Sequence, residues 1–149
     1  MTTGTRLHRV HLRAIPVSVW HETRLWFEGL MREFDIIAAE SQASTPRELL
    51  DFVVAASEKF ERFSNDPNAI LEEAWQQGRP NLDLDLELPP EAAQAARDMW
   101  SHIVAADEFC RDGNLLTMAI KDEPRRFVEW YLGEVADQIE GAQPRPWTG

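Results

Sequence analysis

The residues best placed for chemistry lie in one stretch, Ala106-Asp107-Glu108-Phe109-Cys110-Arg111-Asp112-Gly113-Asn114-Leu115-Leu116-Thr117-Met118, which also carries the only cysteine. Its oddity is Asp107. On a helix spanning residues 90–112, Ala92, Ala96, Met99, Trp100, Ile103 and Cys110 recur on one face, and Asp107 falls within that stripe, four residues after Ile103. A carboxylate there sits near the negative end of the helix macrodipole, partly against apolar neighbours, so it needs a partner. The nearest cations are Arg111, one turn on, and Arg125 and Arg126 at the start of the next helix. A charge-assisted hydrogen bond from any of them would favour the ionised form. The alternatives are an Asp107 lifted into water, or one that faces a ligand or a partner. The candidate site is a cleft between the last two long helices, lined by Asp107, Arg111, Asn114, Arg125, Trp130 and Tyr131. Such clefts hold ligands or are plain packing seams.

Other familiar chemistries find little footing. His8 and His11 are three residues apart on a predicted strand, so they point to opposite faces and cannot share a metal. His21-Glu22 lacks the second histidine of a zinc-protease helix, because position 25 is Leu25. Cys110 sits on an apolar stripe, which favours a buried small hydrophobe over a nucleophile. The chain has no Gly-rich phosphate loop ending in lysine, no dinucleotide fingerprint and no nucleophile elbow. We therefore expect no cofactor and no metal, and assign no catalytic residue.

The elements that must position these residues are legible in the patterning. Residues 6–15 read as a strand, with Val10, Leu12 and Ala14 on one face and Arg9, His11 and Arg13 on the other. Pro16 ends it, and Ser18 is placed to cap a helix to residue 39 with a stripe of Trp20, Phe27, Leu30, Met31, Phe34 and Ile37. Thr45-Pro46-Arg47-Glu48 is a capping box opening a helix with Leu49, Phe52, Val53, Ala56, Phe60 and Phe63 on one face. Asn65-Asp66-Pro67 starts a shorter helix through Ile70, Leu71, Ala74 and Trp75, stopped by Gly78 and Pro80.

Residues 81–88 alternate fully, with Leu82, Leu84, Leu86 and Leu88 on one side and Asp83, Asp85 and Glu87 on the other. Pairing this strand with the N-terminal one would set Arg9, His11 and Arg13 against the acidic row on the wet face. That face is either simply solvated or an edge for partner docking. Gly113 is the natural cap of the long helix. Asp122-Glu123-Pro124 starts the last helix, with Phe127, Val128, Tyr131, Leu132, Val135 and Ile139 on its stripe, and Gly141 ends it. Trp130 lies off that stripe.

A chain of 149 residues fits a single domain, 1–149, with 1–5 and 142–149 as terminal extensions. The expected class is α+β and predominantly helical: about five helices and a two-stranded sheet formed by the N-terminal strand and residues 81–88. The formal charge of −11 argues against a nucleic-acid surface and favours a basic protein partner. No apolar run approaches a membrane span and no signal-peptide core is visible, so the expectation is a cytoplasmic protein. One cysteine cannot form an internal disulfide. Trp147, within Pro144-Arg145-Pro146-Trp147, either packs back on the domain or is presented to a partner, and packing is the preferred reading.

Residues 11–38, residues 106–117 and residues 126–147, the last ending Gln143-Pro144-Arg145-Pro146-Trp147, resemble small uncharacterised proteins of high-GC Gram-positive bacteria found beside genes for anti-sigma-factor kinases and their antagonists. The resemblance covers nearly the whole chain. It implies partner-switching control of transcription through protein contacts, and it brings no catalytic residues. An ATPase of the histidine-kinase type would need an Asp-x-Gly-x-Gly turn, and Asp112-Gly113-Asn114-Leu115-Leu116 lacks the second glycine. The reading is thus a non-enzymatic regulator or adaptor binding an anti-sigma-type kinase or its antagonist, with Asp107, Arg111, Arg126 and Trp130 as its surface. A small-molecule sensor using the interhelical cleft is the first rival, and an enzyme with Asp107 as acid or base the second.

Overall fold

The computed structural model describes residues 7–39, 66–113 and 117–149. The class is α+β and mostly helical. In chain order come β1 (His8–Pro16), α1 (Val17–Ala39), a helix over residues 66–76 that we label α2, β2 (Asn81–Leu88), α3 (Glu91–Arg111) and α4 (Asp122–Ile139). Four helices and two strands are thus seen among the described residues. The helix expected after Thr45 lies outside them.

β1 and β2 pair antiparallel, from His8 opposite Leu88 to Leu12 opposite Leu84. The alternation of both strands dictates this register, because it puts Val10, Leu12, Leu82, Leu84 and Leu88 together in the core. On the wet face the basic and acidic rows meet as their spacing requires. Arg9 lies 3.9 Å from Glu87, His11 Nδ1 2.7 Å from Asp85 and Arg13 3.0 Å from Asp85.

The inward placing of Ala14 is corrected. The register slips between Leu12 and Ile15, so that Arg13 and Ala14 together oppose Asp83, and Ile15 takes the buried position opposite Leu82. This is a β-bulge. Ala14 adopts φ 58°, and its N–H donates to Asp83 Oδ1 at 2.8 Å.

α1 follows directly on Pro16, whose side chain has no acceptor to offer as a cap. It begins at Val17, whose N–H donates to the Pro80 carbonyl at 3.1 Å, so Ser18 lies inside the first turn rather than capping it. Trp20 and Leu30 are buried as expected, Phe27 and Met31 are half-buried, and the side chains of Phe34 and Ile37 lie outside those described. In α2, Leu71 and Ala74 face the core while Ile70 and Trp75, flanking that face by about 100° on the helical wheel, are exposed rather than on the stripe. α3 contributes Ala92, Ala96, Met99 and Ile103, and its small residues let α4 approach with Phe127, Val128, Leu132, Val135 and Ile139.

α4 also packs on β1, and there the outer strand edge is closed by a side chain. Gln138 accepts the His11 N–H at 2.7 Å and donates to the His11 carbonyl at 2.8 Å, both bonds a neighbouring strand would supply. Among the described residues no helix is long and apolar enough to cross a membrane.

Candidate functional site

Asp107 is 1% exposed, at the last turn of α3. Its Oδ2 accepts from Arg111 Nε at 2.9 Å and from Arg125 Nη1 at 2.6 Å, and its Oδ1 accepts the backbone N–H of Ile120 at 2.8 Å. Each donor comes from a different element. Arg111 lies one turn on in α3, Ile120 lies in the connector, and Arg125 stands in the first turn of α4. Burial of the carboxylate would be costly alone, and two guanidinium groups with one amide offset that cost. Arg111 in turn is raised above its ordinary range, first by its hydrogen bond to Asp107. Arg125 also lies over the Trp100 ring, 5.7 Å from its centroid.

The connector is strapped to α1 as well. The Thr117 N–H and hydroxyl both donate to Glu33 Oε1, at 2.7 and 2.6 Å, and Trp26 Nε1–H donates to the Met118 carbonyl at 2.8 Å. Cys110 is buried beside Leu30 and Ala106. Burial, then the nearby Asp107 and Glu33 charges, push its thiol up to about 11, so it is a poor nucleophile at neutral pH.

The structure therefore brings together Asp107, Arg111 and Arg125, and it sets Trp130 and Tyr131 around Phe127. Asn114 lies outside the described residues. Arg126 is exposed. Trp130 and Tyr131 flank Phe127, with ring centroids 6.1 and 5.9 Å from it, and burial pushes the Tyr131 phenol above its usual range. Trp130 is covered by the C-terminal segment, donating its Nε1–H to the Arg145 carbonyl at 2.9 Å. Trp147 packs back on the domain. Its ring meets Phe127 and Trp130 edge-on, at 5.9 and 5.7 Å, and its N–H donates to the Arg13 carbonyl in the bulge at 3.1 Å.

Two buried polar residues escaped the sequence reading, Glu134 and Gln138 on α4. The spacing held the signal. Both fall at helical steps within the stripe of Tyr131, Val135 and Ile139, as Asp107 does within its own. Glu134 is 2% exposed, accepts from Gln138 Nε2 at 3.1 Å, and accepts the Arg145 N–H at 2.7 Å.

A third feature joins α1 to α2. His21 stacks flat on Trp75, with centroids 3.9 Å apart and planes 6° off parallel, and its buried Nδ1 has no hydrogen-bond partner among the described residues. Trp20 Nε1–H reaches Asn68 at 3.4 Å, and Arg24 lies 3.6 Å from Glu72. Among the described residues no three His, Cys, Asp or Glu side chains converge as a metal centre requires. In comparisons with known proteins, no family model, no curated protein and no solved structure matches this chain.

Proposed function

We propose that this chain is a non-enzymatic regulatory or adaptor protein that acts through protein contacts. The observation that carries the reading is an apolar strip where α1 meets α2. Trp75, 40% exposed, lies on His21, and Leu25, 54% exposed, stands one turn beyond His21 on the same face. Arg24, Glu28 and Glu72 border it with charge, Arg24 pairing with both carboxylates. An aromatic with a neighbouring leucine inside a charged rim is the composition of a protein-contact patch. The resemblance of the sequence supplies the partner class, an anti-sigma-type kinase or its antagonist.

The rival readings lean on Asp107, and its chemistry supports them less. A general acid or base needs a free lone pair or proton directed at substrate. Asp107 spends its oxygens on two guanidinium groups and an amide. The same bonds engage Asp107, Arg111 and Arg125, three of the groups that a sensor cleft would offer a ligand.

Native mass spectrometry of the tagged protein, purified gently from its host, tests the proposal. The expected result is a stoichiometric complex with a kinase-like or antagonist protein, weakened at least about tenfold by Leu25→Asp while the melting temperature is unchanged. A folded Leu25→Asp protein that binds equally well would remove the α1/α2 face from the proposal. A bare protein carrying a defined small mass would replace the adaptor with a sensor.

A further inference from the structure

The C-terminal segment is bound like a peptide. After Ile139 the chain turns at Gly141, φ 106°, whose N–H donates to the Gln138 carbonyl while the Ala142 N–H reaches the Asp137 carbonyl. This left-handed cap reverses the chain, so residues 142–147 run back along α4 beside the outer edge of β1. Its recognition is largely through main chain. Glu134 takes the Arg145 N–H, Trp130 binds the Arg145 carbonyl and the β1 bulge takes the Trp147 N–H. The bonding skips the position between them, where Pro146 has no N–H to lose.

Side chains add specificity. The Arg145 guanidinium lies 3.5 Å from Glu134 and 3.3 Å from Asp137, and the Trp147 ring stands edge-on to both Phe127 and Trp130. Residues 142–146 are nevertheless exposed and Trp147 only half-buried. Segments held by so few buried contacts open locally well below the free energy of global unfolding. Once Arg145 leaves, Glu134 is a buried carboxylate that has lost the cation paired with it among the described residues. Such a groove selects a basic occupant.

We propose that the groove between the outer edge of β1 and α4 is a binding site for an extended Arg-Pro-Trp-type segment of a partner protein, with residues 145–147 of this chain as the resident competitor. This site is separate from the α1/α2 face and stands without it. The pattern it reads is an arginine followed two residues later by a large aromatic, in an extended backbone with proline between.

The test uses the full chain and a synthetic peptide, Ala-Gln-Pro-Arg-Pro-Trp-Thr-Gly, corresponding to residues 142–149. The double variant Arg145→Ala/Trp147→Ala keeps the main-chain bonds but removes the arginine pairing and the aromatic packing, which weakens the resident segment. Calorimetric titration should show it binding the peptide at least about tenfold more tightly than wild type, whose own segment competes at high effective concentration. Adding Glu134→Gln to the double variant should cost most of that affinity. A folded double variant that ignores the peptide at ~1 mM overturns the proposal, as does equal binding to both proteins. A double variant that fails to fold also overturns it, since the tail is then part of the fold. Amide hydrogen exchange of the wild type decides independently. The Arg145 and Trp147 amides should exchange through openings far cheaper than that of Ile139, and exchange only on global unfolding refutes a displaceable tail. If isotopically mixed wild-type protein forms dimers that trade tails, the occupant is a second copy and the partner segment is wrong.

Discussion

Asp107 illustrates how a carboxylate that looks chemically poised becomes a fastener. Its three bonds tie the end of α3, the connector and the first turn of α4 to one side chain. Its removal leaves the buried Ile120 N–H unpaired and frees two guanidinium groups that water can reach, so Asp107→Ala should lose about 1–3 kcal/mol in urea unfolding. Arg111→Ala should lose clearly less, because the Arg111 side chain is 49% exposed and water replaces much of what is lost. Equal losses from the two variants would refute the assignment of Asp107 as the centre of the network. At this scale the sequence was partly legible. A charge inside an apolar stripe demanded a partner, and Arg111 and Arg125 were the nearest cations. The Ile120 amide was not foreseeable, since which backbone N–H a connector turns inward depends on how α3 and α4 close upon it. Glu134 and Gln138 carried the same signal as Asp107.

Between elements, the decisive device is the contact of α4 with the first strand. Gln138 serves as a one-residue surrogate strand, satisfying both backbone groups of His11. Gln138→Ala would leave that N–H and carbonyl orphaned at a half-buried edge, at a cost of about 1–3 kcal/mol. Equilibrium denaturation measures it, and protection of the His11 amide should fall with it. A loss near zero, with His11 still protected, would show that the tail alone closes the edge. The pairing of β1 with β2 was legible because the two-residue period of each strand allows only one face for the leucines. The bulge was not. Ala14 at φ 58° is a conformation an L-residue avoids, and it is held by the Asp83 carboxylate and flanked by the bond of Trp147 to Arg13, groups far away in sequence. Local propensity carries no trace of such a requirement.

For the molecule as a whole, charge sets the balance. With 26 acidic against 15 basic residues, self-repulsion opposes compaction, and the surface pairs on the sheet and helices relieve it only locally. Raising salt from about 10 mM to about 0.3 M should therefore raise the melting temperature, because screening shortens the reach of the net repulsion. A fall on adding salt would mean that the ion pairs outweigh the excess charge. The class, the sheet partners and most buried faces followed from periodicity, whereas the course of the tail depends on three-dimensional closure. That closure has a temporal side, seen in the clasp of Gln138 on His11. The two residues are 127 positions apart, so on a ribosome adding about 5–20 residues per second the strand is made roughly 6–25 s before its edge can be covered. Nascent β1 must wait through that interval with an unpaired edge, open to chaperones or to wrong neighbours during synthesis.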